Sequence, residues 1–200
     1  SPNKMPITEE FNTGDTVNPY GQTKYCIENI LKDISNADPY WNVCILRYFN
    51  PAGSHQSGLI GENPKGIPNN LMPYISQVAV GKINKLKIFG NAYPTIDGTG
   101  VRDYIHVMDL ADGHVAMIKN NRLKKGLKIY NFGTGKGSSV LDVIKAFEEQ
   151  TEVKIPYKFI KRRKGDITAS FCNSKKALKE LNWKARFDLK HSMLHIRKII

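Results

Sequence analysis

Apolar positions along this chain follow two spacings in turn. From residue 20 to residue 34 they recur every three or four residues. Tyr20, Ile27 and Leu31 share one helical stripe with Lys24, and Ile30 and Ile34 lie beside it. This predicts a helix over about residues 19–35 whose striped face, Lys24 included, packs inward. Asn18 is a good N-cap for it, and Pro19 suits the first helical position, where a missing N–H costs nothing. The run 43–49 is continuously apolar apart from Arg47 and predicts a buried strand. A loop rich in Gly, Pro and Asn follows over about 50–68, of the kind that leaves the carboxyl end of a sheet strand to bind ligands. Beyond it the pattern predicts a helix over 69–80, a strand over 86–89, a second loop over 90–100 and a strand over 101–107. A helix over 108–119, a strand over 127–132, a helix over 138–149 and a strand over 157–160 come next, and helices over 174–181 and 189–200 close the chain. Helix and strand alternate, so the expected fold class is α/β with at least a partly parallel sheet. Residues 1–17 are polar and turn-rich with no cap at their start, and read as the middle of a loop.

Composition narrows the classes. Two hundred residues, 40% of them hydrophobic, suit one domain or part of a larger one. No apolar run approaches the roughly 20 residues of a membrane span, and the first residues carry no signal-peptide pattern. A soluble, cytoplasmic protein with no membrane partner is expected. Cys26, Cys44 and Cys172 are an odd number at unrelated spacings and read as reduced, buried thiols. The formal charge of +12 raises phosphate or nucleic-acid binding. The lysines are nevertheless scattered, the one dense run is Lys161-Arg162-Arg163-Lys164, and no nucleic-acid-binding motif is present. No nucleic-acid partner is expected. His106 and His114 have no Cys or carboxylate at metal-ligand spacing, so core or surface roles are expected and no metal.

The lysine on the apolar stripe is the anomaly. A phenol with an ammonium one helical turn away is drawn towards phenolate, below its ordinary value of roughly 10, where it exchanges a proton with an alcohol. An alcohol–ketone redox step needs such a group. The same pair also fits an amphipathic core tyrosine beside a lysine that reaches out to water. A nicotinamide-dependent step further requires a Gly-rich turn for the pyrophosphate. Gly133-Thr134-Gly135-Lys136-Gly137-Ser138 follows a strand and precedes a helix, but its third glycine falls one residue early and Gly137 stands where a P-loop has Ser or Thr. It reads as a turn plus an N-cap.

Four segments stand in order. They are Asn18-Pro19-Tyr20 with Lys24, Leu46-Arg47-Tyr48-Phe49-Asn50-Pro51 with Gly53, Ile67-Pro68-Asn69-Asn70-Leu71-Met72-Pro73-Tyr74, and Asp97-Gly98-Thr99-Gly100-Val101-Arg102-Asp103-Tyr104-Ile105-His106-Val107. Together they resemble the UDP-glucose 4-epimerase family of the extended short-chain dehydrogenase/reductases, over the whole chain. The resemblance implies the carboxyl-terminal part of an NAD-binding Rossmann-type fold plus a smaller α/β substrate-binding domain. Residues 1–53 would be the remaining part of the Rossmann domain, and 54–200 mainly the UDP-sugar-binding domain, with 100–120 returning to the Rossmann domain. It also implies NAD as cofactor, UDP-glucose and UDP-galactose as substrates, a role in galactose metabolism, and a homodimer when complete.

Residue roles carry over on the same resemblance. Tyr20 would exchange the proton at the sugar 4-hydroxyl, and Lys24 would hold the nicotinamide ribose. Tyr48 would sit by the nicotinamide, with Tyr48, Phe49 and Asn50 leading into the substrate. Asn69, Asn70 and Leu71, with Lys87, Ile88 and Phe89, would hold uracil. Arg102 and Arg163 would face the diphosphate, as guanidinium forks suit phosphate oxygens, and Asp166 a ribose hydroxyl. Four residues beyond Asp166 the family varies between a bulky and a small side chain near the sugar; the small Ser170 would leave room for UDP-N-acetylhexosamines. These 200 residues alone are expected to be inactive, without the Gly-rich NAD turn. Another nucleotide-sugar decarboxylase or dehydratase of the superfamily, and a non-catalytic UDP-sugar-binding fragment, are the competing expectations.

Overall fold

The computed structural model describes residues 4–121, 125–198 and 200. In chain order its elements are α1 (Pro19–Ala37), β1 (Asn42–Tyr48), β2 (Asn50–Ala52), α2 (Leu71–Ala79), β3 (Leu86–Phe89), β4 (Val101–Arg102), β5 (Tyr104–His106) and α3 (Val107–Asn121). There follow β6 (Gly126–Phe132), β7 (Ser138–Ser139), α4 (Val140–Thr151), β8 (Tyr157–Ile160), β9 (Ala169–Ser170), α5 (Lys175–Leu181) and α6 (Leu189–Arg197). The expected α/β class holds: β1 pairs with β6, β2 with β5 and β3 with β8, all parallel. A three-stranded sheet sets β4 between antiparallel β7 and parallel β9.

Helix α1 begins as predicted. The Gly21 N–H donates to the Asn18 side chain at 2.7 Å, and Pro19 stands in the first turn. Its striped face does not pack inward. Tyr20 is 74% exposed, Lys24, Ile27 and Ile30 are exposed too, and Ser35 is the one buried residue of the helix. The attachment of α1 to the sheet is polar instead. Arg47 of β1 grips Glu28 with a two-pronged fork, Nε to Oε1 at 2.8 Å and Nη2 to Oε2 at 2.7 Å, and its Nη1 donates to the Glu9 carbonyl. Strand β1 is half as buried as its apolar run predicts. Val43 and Ile45 are buried while Cys44 and Leu46 are partly so, in a sheet of two strands. Of the three free thiols only Cys172 is buried; Cys26 is exposed, since it rides on the uncovered helix.

Three predicted boundaries move. The strand over 101–107 divides at Asp103 into β4 and β5, which belong to different sheets. The helix predicted from 69 starts at Leu71 and leaves Asn69 and Asn70 in the loop. Residues 138–139 pair as β7, and Ser139 rather than Ser138 caps α4, in a reciprocal box with Asp142. The predicted last helix crosses residue 199, outside the described residues; α6 ends at Arg197.

Two cores follow from these pairings. The larger joins α2, β3, α4 and α6 through Met72, Ile75, Leu86, Ile88, Val143, Phe147 and Met193. The smaller lies between β5, α3, β6 and α5, where Phe132 stacks on Trp183 at 4.3 Å. Between the sheets sits Asp103, fully buried. Its carboxylate accepts from the Thr134 N–H at 2.9 Å, the Thr134 hydroxyl at 2.6 Å, the Gly135 N–H at 2.9 Å and the Cys172 N–H at 3.3 Å. Burial, together with that carboxylate, pushes the Cys172 thiol far above its ordinary value.

A second buried polar contact pins α6. His106 Nδ1 accepts from the Met108 N–H at 3.0 Å, so its Nε2 carries the proton and donates to His195 Nδ1 at 2.9 Å. Burial, and then the neighbouring His195 and His191, bring His106 down to about 4. His195 is lowered as well, first by burial.

Two outcomes follow. Replacing Asp103 by Ala leaves three backbone donors and a hydroxyl unanswered and should cost about 2–4 kcal/mol in urea unfolding of the full-length protein. Loss below about 1 kcal/mol would show that water answers them. The histidine pair sets the acid response. His106 titrates near 6.5 when unfolded and near 4 when folded, so between those values the unfolded chain binds the extra proton. Stability should rise with pH across that window and fall as acid is added, at about 1.4 kcal/mol per pH unit where one proton is fully linked. Denaturation midpoints from pH 4 to 7 should slope less steeply in a His106→Gln variant; equal slopes would exclude the pair as the cause.

Candidate functional site

A cleft of about 190 Å³ opens where the start of α2, strand β3, the 90–100 loop, the β4–β5 junction and the 161–166 segment meet. Asn50 reaches it from β2, where it is held by donating its N–H to the Asp103 carbonyl at 2.9 Å and by pairing with Tyr104. Asn69, Asn70 and Leu71 line its rim. Asn70 occupies the cap position of α2, yet its side chain makes no capping bond. Strand β3 contributes Lys87, Ile88 and Phe89, of which Ile88 is buried in the larger core. Arg102 comes from β4 and donates Nη1 to its neighbour's carbonyl, Val101, at 2.8 Å. Neither Asp97 nor Asp103 pairs with it: Asp103 serves the 134–135 turn, and Asp97 serves Thr99 and Ser139. Arg163 lies over the Phe89 ring at 4.4 Å and donates Nε to Asp166 at 3.0 Å.

The cleft therefore gathers ten residues that the resemblance implicates, from widely separated parts of the chain. Its chemistry is two-sided. Leu71, Ile88 and Phe89 offer apolar surface with amides at its edge, which suits a flat heterocycle. Arg102, Arg163 and Lys87 offer positive charge, which suits phosphate.

Five lining residues escape the sequence reading: Tyr74, Tyr93, Gly100, Tyr104 and Val140. Two had a signal. Tyr104 alternates with Arg102 in one extended run, and Tyr74 lies one helical turn beyond Asn70. Tyr93 and Val140 arrive through long-range packing alone. Burial pushes the Tyr104 phenol up to about 12, with Arg102 pulling the other way. Tyr93, 5% exposed, explains the glycine at position 90. Gly90 has φ +89°, and a Cβ there would come within 2.7 Å of the Tyr93 ring.

Five expected residues do not line the cleft. Tyr20 and Lys24 lie on the open face of α1, with the Lys24 ammonium 5.4 Å from the Tyr20 ring centre. Tyr48, at the carboxyl end of β1, is 54% exposed and has the His114 ring 6.2 Å away. Phe49 is half-buried and donates its N–H to the Phe132 carbonyl at 3.0 Å. Ser170 stands in β9, in register with Arg102 and half-buried. The Gly-rich turn is also committed elsewhere, because its Thr134 and Gly135 N–H groups are given to Asp103. Among the described residues no three His, Cys, Asp or Glu side chains gather as a metal site requires, and no helix is long and apolar enough to cross a membrane.

Comparison with known proteins shows the family of the chain. Residues 1–133 match the NAD dependent epimerase/dehydratase family. Over 192 residues the chain is 56% identical to a UDP-glucose 4-epimerase of Pasteurella multocida, covering 96% of this chain and 57% of that protein. It is 57% identical over 185 residues to a UDP-glucose 4-epimerase of Bacillus subtilis, covering 92% of this chain and 54% of the relative. The chain thus spans a little over half the length of the curated relatives it matches. A crystal structure of UDP-glucose 4-epimerase from Bifidobacterium longum, in complex with NAD+ and UDP, superposes with a TM-score of 0.95 at 52% identity, covering 99% of this chain and 59% of that one.

Proposed function

This chain belongs to the NAD dependent epimerase/dehydratase family, and from that membership we propose that its protein interconverts UDP-glucose and UDP-galactose by epimerisation at C4. The observation that carries the proposal is the cleft, where an apolar, amide-edged wall stands beside two guanidinium groups. A UDP moiety matches both halves. Uracil lies against Leu71, Ile88 and Phe89 with the amides of Asn69 and Asn70 at its edge. The diphosphate faces Arg102 and Arg163. Asp166 accepts from a ribose hydroxyl with the oxygen it does not give to Arg163. The sugar then extends past Asn50 towards Tyr48.

Tyr20, Lys24 and Tyr48 are exposed and open to a partner, which fits the nicotinamide ribose end of NAD. The 133–138 turn does not fit the pyrophosphate, because its donors already answer a buried carboxylate. When bound, NAD supplies the hydride acceptor and donor at C4. The chain's own part is the proton: the Tyr20 phenol exchanges it with the 4-hydroxyl, and the Lys24 ammonium one turn on holds the nicotinamide ribose. These 200 residues alone are expected to turn over little or nothing, because the 133–138 turn gives its donors to Asp103 and is not free to cradle a pyrophosphate.

A second, narrower reading concerns the sugar. Ser170 is small and neighbours Arg102 in the sheet, and on this reading a side chain of that size admits an N-acetyl group on the sugar.

The test is a coupled assay of the full-length protein with UDP-galactose, following UDP-glucose. Tyr20→Phe should lower kcat by about 10²–10⁴ while leaving UDP affinity within about twofold; an unchanged kcat would remove Tyr20 from the chemistry. The same protein should also turn over UDP-N-acetylglucosamine. Failure there, with UDP-glucose epimerised normally, would refute the role given to Ser170 and leave the main proposal standing.

A further inference from the structure

Arg162 and Arg163 are neighbours that point to different tasks. Arg163 lines the cleft, whereas Arg162 turns towards the 90–100 loop. Its guanidinium carbon lies 4.2 Å from the centre of the Tyr93 ring, and its Nη2 donates to the Asp166 carbonyl at 2.6 Å. Tyr93 is a fixed platform. It is buried, and its N–H donates to the Gly98 carbonyl at 3.0 Å. One side chain thus joins that platform to the far end of the Arg163–Asp166 turn. Within the turn the backbone contact is long, the Asp166 N–H reaching the Arg163 carbonyl at 3.4 Å, and the closer bond is the exposed one from Arg163 Nε to the Asp166 carboxylate at 3.0 Å. Its tip also touches the other half of the site. Gly165, at φ +84°, lies so close to Val17 that a Cβ there would meet the valine methyl at 3.0 Å, just ahead of the α1 cap.

We propose that Arg162 is a positioning residue: stacked on Tyr93 and bonded to the Asp166 carbonyl, it holds the 163–166 turn so that Arg163 and Asp166 face the cleft. The inference rests on reading that cleft as the UDP site. A planar guanidinium stacks and donates at once, which an ammonium does not reproduce. Arg162 acts through its neighbours, so its effect on ligand binding depends on Tyr93. A cation acting directly on phosphate would not depend on it.

The experiment is a double-mutant cycle on the full-length protein with NAD present, reading UDP binding by calorimetry. Arg162→Ala should weaken UDP binding about tenfold, which is about 1.4 kcal/mol. Tyr93→Leu should weaken it equally, and the double variant should be no weaker than either alone. Arg162→Lys keeps the charge but not the flat, forked group, and should recover less than half of the loss. An additive double variant near a hundredfold, or a loss under twofold for Arg162→Ala, would overturn the proposal. If the parent itself bound no UDP, the reading of the cleft would fail separately. Amide exchange at Gly165 and Asp166 would then decide the clamp: faster in both single variants upholds it, unchanged overturns it.

Discussion

A buried carboxylate organises this molecule. A charge taken out of water costs several kcal/mol unless donors replace the lost hydration, and Asp103 finds four. Reaching them forces the chain to change sheets at that residue. Behind it β4 runs between β7 and β9, and ahead of it β5 pairs with β2. The peptide on either side is used as well, its N–H donating to the Ser170 carbonyl and its carbonyl accepting from Asn50. Side chains alternate along an extended run, so while Asp103 points at the 134–135 turn, Arg102 and Tyr104 point into the cleft. The wall of the site is the reverse face of an electrostatic knot.

Much of this was legible beforehand where the signal is local. Asn18 and Pro19 announced the start of α1, and helix–strand alternation announced the class. The roles implied by the resemblance named ten of the residues that line the cleft, although the spacing of Asn50, Arg102 and Arg163 says nothing of their meeting. What failed was long-range. The run 101–107 reads as one strand because β propensity does not register a buried charge that must turn away. The inward face assigned to α1 rested on periodicity, which records that a stripe exists and not what covers it. Cys26 was misplaced for the same reason. Tyr93 stands in no pattern and Arg162 only in the basic run 161–164, since an aromatic in one loop and an arginine in another acquire their meaning only when packed.

The site has two parts of different character. The cleft is lined from seven regions and closed by polar and aromatic contacts. Tyr20, Lys24 and Tyr48 lie open. The two parts are joined at two places: β1 runs straight on from Tyr48 to Asn50, and the 163–166 turn rests by its glycine on Val17. On the proposed reading, the first join carries the sugar end of the substrate and the second couples nucleotide capture to the helix that bears the proton donor.

The fork between Arg47 and Glu28 gives that helix its aim. Apolar packing tolerates rotation about a helix axis, since contact area changes little with angle, whereas two parallel N–H···O bonds from a planar group weaken as soon as the planes tilt. Tyr20, Lys24 and Glu28 are successive turns of one rod, so the orientation of the last sets the bearing of the first two. Arg47 extends the same plate to the Glu9 carbonyl, which ties the leading segment to the rod as well. On the proposed reading, the phenol that exchanges the proton is directed by an angular constraint two turns away, and its accuracy belongs to an arginine outside the cleft.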